Sequence, residues 1–357
     1  MLKELKYFKN KRVLITGHTG FKGSWLVYWL NIYGAKIVGV SHRIVSSPSN
    51  FSAIGIKKKC KNYFFDINDK KLKKVINNFK PNFIFHLAAQ AIVSTSYKDP
   101  KETWKTNVMG TLNLLNILKN YKKKCTTVIV TSDKCYLNLE KKEGYSEADQ
   151  LGGYDQYSAS KASMEIMYHA YFNSFLKKNK NLKIASARAG NVIGGGDWAK
   201  DRLIPDAVKK WSKNKKIIIR NKKSTRPWQH VFEALYGYMI LAIKLEKDKK
   251  INGESFNFGP NEKNINTVED ILNLIKKYWN KAKWTNQKKK TYKETNILNL
   301  KTTKVKKKLK WSCKLTFEKN IYLLTNWYKT FYENKKDIEN VSLEQILFYE
   351  KILKKKL

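Results

Sequence analysis

A glycine-rich segment, TGHTGFKG at residues 16–23, separates a short aliphatic run from a run with helical periodicity. Glycine suits such a strand-to-helix turn because the turn is tight, the backbone must approach a pyrophosphate, and the helix must pack on the strand. The helix N-terminus then offers free N–H groups to a phosphate. We therefore predict a dinucleotide cofactor site here, formed by Gly17, Thr19, Gly20, Phe21, Lys22 and Gly23.

Short β-rich runs alternate with helical stretches, which is typical of βαβ units around a parallel sheet. Strands are predicted at residues 12–16, 36–40, 62–65, 82–89, 127–132 and 183–189. The main helices are predicted at residues 23–34, 103–120 and 158–178. Ligands of such a sheet bind outside the carboxyl ends of its strands, and the motifs discussed below lie near those ends.

The predicted fold class is α/β: a Rossmann-type, doubly wound parallel sheet with a smaller, mixed C-terminal substrate lobe. From about residue 190 the sequence becomes rich in turns, which indicates the lobe. We expect the cofactor-binding domain at residues 1–187, with a returning segment at about 228–252. The lobe is expected to comprise residues 188–227 and 253–357.

Composition limits the class of protein further. The 357 residues are 42% hydrophobic, enough for a substantial core, but they contain no apolar run near the length of a membrane span. The N-terminal residues lack the apolar stretch of a signal peptide, so we expect a cytoplasmic protein without a membrane partner. The cysteines form no CxxC pair, and we expect no metal site.

The formal net charge of +43 raises the question of nucleic acid, because Lys and Arg neutralise phosphates. Only six of the 72 basic residues are Arg, and the Lys residues are scattered through loops and exposed helix faces. Net charge does not set fold or function, so we predict a solvated lysine surface and no nucleic-acid partner.

The segment YSASK places Tyr157 and Lys161 four residues apart on a predicted helix, so that both side chains share one face. A lysine ammonium near a phenol favours the phenolate and lowers the tyrosine pKa. Tyr157 is therefore a candidate base for a sugar hydroxyl, with Lys161 as its partner.

These motifs resemble those of the extended short-chain dehydrogenase/reductase family over nearly the whole chain. Several stretches are similar to its branch of nucleotide-sugar 4,6-dehydratases acting on CDP-glucose: GHTGFKGSWL, HLAAQ, TNVMGT, TSDKCY, ARAGNVIGGGDWAKDRLIPD, RPWQHV and NFGPN. The resemblance implies a nicotinamide cofactor, a nucleotide-sugar substrate (CDP-glucose) and a 4,6-dehydration. Many relatives acting on other nucleotide sugars carry Asp-Glu where this chain has Asp133-Lys134, and the lysine matches the CDP-glucose branch.

Such a dehydration needs an acid and a base, and the segment TSDKCY offers both. Ser132 can bind the 4-hydroxyl, Asp133 if protonated can donate to the C6 oxygen, and Lys134 if neutral can take the C5 proton. Desolvation shifts both pKa values in the required directions, whereas direct pairing opposes them. Successive side chains of a strand point to opposite faces, so we predict that the strand ends at Ser132. Asp133 and Lys134 should then both face the cleft near Tyr157 without a tight ion pair.

Further cofactor contacts are predicted beyond the third and fourth strands. Asp66 and Ile67 are placed beside the adenine, although Asp66 would also serve as a helix cap. Ala88, Ala89 and Gln90 are placed near the nicotinamide, and Gln90 also near the hexose. Asn107 corresponds to a helix asparagine near the active site of the family, with a buried structural amide as the alternative.

We predict NAD as the cofactor, with NADP left open. The end of the second strand carries no Asp or Glu to bind a ribose 2′-hydroxyl, and Arg43 could tolerate a 2′-phosphate.

A sugar diphosphate favours planar bidentate donors, which Arg supplies better than Lys. Arg202 and Arg226 are therefore predicted to bind the substrate, and Arg188 to act as scaffolding. Asn191 and Val192 resemble the family's substrate-contacting turn. Trp198 is predicted to stack on the base, with packing in the lobe as its alternative.

Two other functions are considered. A nucleotide-sugar 4-epimerase would share the glycine turn and the Tyr-Lys pair but would not need Asp133 and Lys134 for loss of water. A basic nucleic-acid-binding protein that kept the fold would need none of the catalytic set. We expect a homodimer, with a tetramer left open, because helices 103–120 and 158–178 carry apolar stripes and the family resemblance implies pairing through them.

Overall fold

The computed structural model describes residues 1–219, 221–260, 266–286, 298–334 and 337–355. The strands are β1 Arg12–Thr16, β2 Lys36–Ser41, β3 Lys61–Phe64, β4 Phe83–His86, β5 Cys125–Val130, β6 Leu182–Ala189, β7 Val192–Ile193, β8 Ile217–Ile219, β9 Thr225–Arg226, β10 Gln229–His230, β11 Ser255–Phe258, β12 Asn266–Thr267 and β13 Trp284–Asn286. The helices are α1 Phe21–Ile32, α2 Asn50–Ala53, α3 Lys71–Phe79, α4 Val93–Lys98, α5 Pro100–Trp104, α6 Gly110–Lys119, α7 Gln156–Tyr171, α8 Leu203–Trp211, α9 Val231–Lys247, α10 Val268–Tyr278, α11 Thr303–Leu309, α12 Phe317–Glu333 and α13 Ile338–Lys355. Short 3₁₀ turns lie at Glu4–Phe8, Ile56–Lys58, Asp133–Cys135 and Lys249–Ile251, and π-helical turns at Lys105–Met109 and Phe172–Leu176.

The central sheet has seven parallel strands in the order β11-β6-β5-β4-β1-β2-β3. The strand order reverses between β1 and β4, which is where an open α/β sheet forms a crevice for ligands. The predicted α/β class with a Rossmann-type parallel sheet is confirmed. The seventh strand, β11, was not predicted. It pairs with β6 at one edge of the sheet and follows the expected returning segment, about residues 228–252, in the sequence. The remaining division into two domains stays a prediction.

Successive residues along the strands point to opposite faces of the sheet, and helices pack on both faces. Val13 and Ile15 of β1 pack in one core with α1 and α9, whereas Leu14 packs in a second core with α3, α6 and α7. Helices α12 and α13 extend the first core into the C-terminal lobe. Within the described ranges, no helix has both the length and the hydrophobicity needed to cross a bilayer.

Trp198 belongs to the first core, which also contains residues of β1, α1 and α9. Its side chain is 2% exposed, and its ring lies 4.7–5.9 Å from the rings of Trp327, Tyr328 and Phe331. Its indole Nε1–H donates to the hydroxyl of Tyr332 at 3.0 Å. The predicted stacking of Trp198 on a nucleotide base is therefore wrong, because other aromatic side chains already pack around its ring.

This correction predicts a stability effect for Trp198→Ala. Removing a buried Trp costs about 3–5 kcal/mol of unfolding free energy, which chemical denaturation would measure. Trp284→Ala, at a partly exposed edge-strand position, is the control and should cost less. An unchanged unfolding free energy with a large rise in the KM for nucleotide sugar would instead restore Trp198 to the substrate site.

Candidate active site

The glycine-rich turn has two positions where a side chain would collide with the backbone. Gly17 has a φ of 74°, and a Cβ atom there would lie 2.7 Å from the backbone nitrogen of Ala88. A Cβ atom on Gly23 would lie 2.1 Å from the carbonyl oxygen of Gly17. Gly20 is the N-cap of α1, and no described side chain caps this helix end. The turn thus has the close backbone approach and free N–H groups that suit a pyrophosphate.

Two other residues join this turn to neighbouring loops. The Thr19 hydroxyl donates to the carbonyl oxygen of Arg43, beyond β2, at 2.7 Å. The Phe21 ring lies beside Gly194, where a Cβ atom would be 3.3 Å away. Arg43 is exposed and the residues that end β2 carry no acid, so this part of the site has no group that would repel a 2′-phosphate.

The residues that follow β3 are held by contacts within the chain. Asp66 accepts the backbone N–H of Asn68 at 2.9 Å and forms an ion pair with Lys105 at 3.2 Å. Ile67 packs against Gly110, where a Cβ atom would lie 2.4 Å from its Cγ2. The carboxyl group of Asp66 thus caps a turn and not a helix, because α3 begins after Lys70 without a side-chain cap. Contact of Asp66 with adenine stays a prediction.

Asn107 supports the loop after β4. Its side chain is fully buried, its Oδ1 accepts the backbone N–H of Gln90 at 2.8 Å, and its Nδ2 donates to Ser160 Oγ at 2.9 Å. The Gln90 amide in turn donates to Thr103 and Ile92. These bonds are those of the alternative interpretation, a buried structural amide, and direct contact of Asn107 with the cofactor stays a prediction. This loop carries Ala88 and Ala89, whose cofactor contacts stay predictions.

Tyr157 and Lys161 lie on α7, whose N-terminus is capped by Asp155. Both side chains are buried, and the Lys161 ammonium lies 6.0 Å from the centre of the Tyr157 ring. Burial raises the pKa of Tyr157 to about 12, although a hydrogen bond with Ser132 and the charge of Arg202 act to lower it. Burial and the charge of a neighbouring lysine lower the pKa of Lys161 to about 7. The expected lowering of the tyrosine pKa is therefore not found, because desolvation outweighs it.

The segment that carries Ser132, Asp133 and Lys134 leaves strand geometry as predicted. β5 ends at Val130, two residues earlier than expected, and a 3₁₀ turn begins at Asp133 with Ser132 as its N-cap. Asp133 is buried and accepts the Ser132 hydroxyl at 2.9 Å. Burial raises the pKa of Asp133, against the opposing charge of Lys134.

Among the described ion pairs, none joins Asp133 to Lys134, so the predicted absence of a tight pair agrees with the structure. Gly190 leaves room for the acid, since a Cβ atom there would lie 3.1 Å from Asp133 Oδ2. The carboxyl group can therefore exist as a neutral acid in this environment. That Lys134 faces the cleft stays a prediction.

The sequence analysis did not identify Tyr238 as a cleft residue, and it assigned Lys22 only to the cofactor turn. Lys22, placed in the glycine turn, extends its ammonium to 3.4 Å from the hydroxyl of Tyr238 on α9. Burial and the charge of Arg202 lower the pKa of Lys22 to about 8, whereas the charge of Asp133 acts to raise it. Lys22 also contributes to the lowered pKa of Lys161. Tyr238 lies more than two hundred residues further along the chain, so no local pattern could have indicated it.

The predicted substrate residues occupy the loops beyond β6. Arg202 forms an ion pair with Asp197 at 2.9 Å, keeps about a third of its side chain exposed, and lies near enough to Tyr157 to affect its pKa. The Asn191 carbonyl accepts the Gln229 N–H at 3.1 Å, and Val192 pairs with the same residue in the small β7–β10 sheet. The side chain of Arg226 lies outside the described part of the molecule.

The remaining arginine predicted near the site is scaffolding, as expected. Arg188 is buried and paired with Glu165. Across the described segments, no group of three or more His, Cys, Asp or Glu side chains could hold a metal ion.

Comparisons with known proteins agree with this geometry. Residues 14–323 match the model of the GDP-mannose 4,6 dehydratase family. The chain is a member of that family. It is 41% identical to the CDP-glucose 4,6-dehydratase of Salmonella typhimurium over 331 residues, which cover 91% of this chain and 92% of the relative. The resemblance drawn from the sequence motifs is therefore confirmed.

Solved structures support the same fold. An epimerase from Methanothermobacter thermautotrophicus superposes with a TM-score of 0.79 at 20% identity, covering 94% of this chain and 96% of its own. A UDP-glucuronic acid 4-epimerase from Bacillus cereus, solved with UDP-glucuronic acid and NAD, gives a TM-score of 0.76 at 22% identity, covering 90% of this chain and 100% of its own. At these identities the structural likeness shows the fold of this chain and does not bear on its reaction.

The glycine turn gives a direct prediction for cofactor affinity. Gly23→Ala should raise the dissociation constant for NAD at least tenfold, because a Cβ atom 2.1 Å from a carbonyl oxygen displaces the turn. Gly34→Ala is the control: its φ of 73° makes alanine strained there, but the added Cβ would meet only the Lys9 side chain at 3.7 Å. It should lower stability and leave the affinity for NAD unchanged. Titration of tryptophan fluorescence would measure the affinity of both variants. Unchanged affinity in Gly23→Ala would place the dinucleotide elsewhere.

Proposed function

We propose that the protein is an NAD-dependent CDP-glucose 4,6-dehydratase, which converts CDP-glucose to CDP-4-keto-6-deoxyglucose and water. The observation that carries the proposal is the buried Asp133 carboxyl, held beside Ser132 in the Tyr157 cleft and free of an ion pair with Lys134 among the described contacts. A carboxyl group in that setting can act as a general acid, which a dehydratase needs. The 41% identity to a CDP-glucose 4,6-dehydratase over most of both chains supports the same reaction.

The oxidation half of the reaction uses Ser132, Tyr157 and the lysines around them. Ser132 orients the 4-hydroxyl of the hexose, and Tyr157 takes its proton. Because burial favours the neutral phenol, ionised Tyr157 needs nearby positive charge, which Lys161, Lys22 and Arg202 can supply. A nicotinamide cofactor held at the glycine turn of Gly17 and Gly23 would supply the hydride acceptor for C4 and the hydride donor for C6.

The elimination half uses the next two residues of the turn. The C4 ketone makes the C5 proton acidic, so the amine of Lys134 can remove it while Asp133 protonates the C6 oxygen, which leaves as water. After hydride returns to C6, the Lys134 ammonium gives its proton to C5. The hydride removed from C4 ends at C6, so the cofactor is not consumed. Transfer of the proton gained by Tyr157 to Asp133, directly or through solvent, resets both groups for the next turnover.

We propose NAD rather than NADP as the cofactor. The epimerase from Bacillus cereus that shares this fold is solved with NAD. The space at Gly17 and Gly23 and the free N-terminus of α1 suit the pyrophosphate of either cofactor. The choice between NAD and NADP therefore depends on the residues around the 2′ position of the adenosine ribose.

A substrate panel tests the proposed function. Purified protein with NAD or NADP would be incubated with the CDP, dTDP, UDP and GDP glucoses, and the alkaline absorbance of a 4-keto-6-deoxy sugar would be recorded. We expect product from CDP-glucose with NAD. Turnover of only another nucleotide sugar, or formation of a C4 epimer in place of the keto sugar, would overturn the proposal.

If Asp133 is the general acid, Asp133→Asn should separate the oxidation half of the reaction from the elimination half. The variant should still oxidise C4, seen as absorbance of bound reduced nicotinamide, but should lose dehydration by about a hundredfold or more because it has no acidic proton to give. Asp248→Asn, which alters a turn cap remote from the cleft, is the control and should match the unmodified protein. An intact dehydration rate in Asp133→Asn would reject the role of this residue.

We also propose a homodimer formed through α6 and α7, with a tetramer as a further possibility. Met109, Ile166 and Phe175, in or beside these helices, are 51%, 56% and 48% exposed. Apolar side chains of this size, exposed on adjacent helices, are typical of a surface that pairs with a second copy.

The dimer predicts different effects for two matched substitutions. Ile166→Glu should shift the protein toward monomer in sedimentation velocity, because it buries a charge in the proposed interface. Ile218→Glu changes an equally exposed isoleucine on β8 and should leave the assembly intact. A monomeric unmodified protein, or an unchanged assembly in Ile166→Glu, would contradict this interface.

A further inference from the structure

A buried ion pair lies beneath the catalytic turn. The Nη2 of Arg188, on β6, donates to Oε2 of Glu165 at 2.8 Å, and both side chains are at most 1% exposed. Glu165 lies on α7 one turn beyond Lys161, so it belongs to the helix that carries the Tyr-Lys pair. Its carboxylate also accepts the hydroxyls of Ser186 and Ser255, each at 2.9 Å.

The same ion pair is bonded to both ends of the segment that carries Ser132, Asp133 and Lys134. Immediately before the segment, the Thr131 hydroxyl donates to Glu165 Oε1 at 2.5 Å. Immediately after it, Arg188 Nη1 donates to the Tyr136 hydroxyl at 2.7 Å. The Tyr136 hydroxyl then donates to Asn257 Oδ1 of β11 at 2.8 Å.

We propose that Thr131 and Tyr136 are positioning residues, which hold the Asp133-Lys134 turn against the Tyr157 helix through the Glu165–Arg188 pair. This inference rests on the proposed dehydratase function. Neither residue contacts the substrate in this proposal. Their role is to set where the acid and the base stand relative to C5 and C6 once C4 has been oxidised.

The two halves of the reaction depend differently on this attachment. Tyr157 and Lys161 are held by the whole length of α7, which packs on the sheet through Met164 and Tyr168. Asp133 and Lys134 lie on a single 3₁₀ turn, whose position follows from the residues at its ends. Ser132 of the oxidation half also lies on this turn, as its N-cap, but it orients the 4-hydroxyl without exchanging a proton in the proposed mechanism. Loosening one end should therefore slow elimination more than oxidation.

Misplacement of a reacting group by about 1 Å can cost about a hundredfold in rate. Loss of one of the two attachments should then slow elimination by about tenfold or more, while C4 oxidation changes by less than about threefold. A purely structural role would lower the fraction of folded enzyme and would reduce both rates by the same factor.

The test uses Tyr136→Phe and Thr131→Val, each of which removes a hydroxyl and keeps the side-chain size. Tyr171→Phe is the matched control, because it removes a tyrosine hydroxyl bonded to Asn116 outside this network. Each full-length variant would be mixed rapidly with saturating NAD and CDP-glucose. Absorbance of bound reduced nicotinamide reports oxidation, and quenched samples report the keto product of elimination.

We expect reduced nicotinamide to accumulate in Tyr136→Phe and Thr131→Val and not in Tyr171→Phe. Equal slowing of both steps, or no slowing of either, would overturn the inference. If Tyr136→Phe does not fold, Thr131→Val alone decides the matter, since its near-identical shape preserves packing. Absence of any keto product from the unmodified protein would instead reject the proposed function, and the inference with it, which distinguishes the two failures.

Discussion

The buried Glu165–Arg188 ion pair connects the parts of the molecule on which the active site depends. Glu165 is on the helix of the Tyr-Lys pair, Arg188 is on β6, and their hydrogen-bond partners lie at the end of β5, in the turn beyond it and on β11. Breaking a buried pair by removing one partner leaves an uncompensated charge and typically costs about 3–5 kcal/mol. The position of this pair therefore fixes how the helix, the catalytic turn and the edge of the sheet stand relative to one another.

A second constraint is the concentration of positive charge in the cleft. Burial and the charge of Arg202 lower the pKa of Lys22 to about 8, and burial and the charge of Lys22 lower the pKa of Lys161 to about 7. Burying such groups is costly, so the cleft is best suited to ligands that carry negative charge, such as a dinucleotide and a sugar diphosphate. The same positive charge favours ionised Tyr157, whereas burial of Asp133 favours its neutral form. Burial thus favours the neutral acid at Asp133, whereas ionised Tyr157 depends on the positive charge of the cleft to offset the effect of its own burial.

Local patterns in the sequence predicted much of the sheet, the glycine turn and the end of β5, because each depends on contacts between residues near one another in the chain. β11 was missed because its alternate residues, Ser255 and Asn257, are polar. They are buried only because they bond to Glu165 and Tyr136, partners that lie far away in the sequence. The same reason explains the wrong assignment of Trp198 and the internal hydrogen bonds of Asn107, which no local pattern indicates. The sequence shows that a side chain is large or polar, but its partners elsewhere in the fold decide whether it faces a ligand or the core.

The central claim is that one hydride is removed and returned within a single active site while Asp133 and Lys134 expel water. The most direct measurement uses CDP-glucose carrying deuterium at C4 and follows the label by mass spectrometry and NMR. The account predicts that deuterium moves to C6 of the keto-deoxy product and is not lost to solvent or to free cofactor. Retention of the label at C4, or its release from the enzyme, would contradict the account.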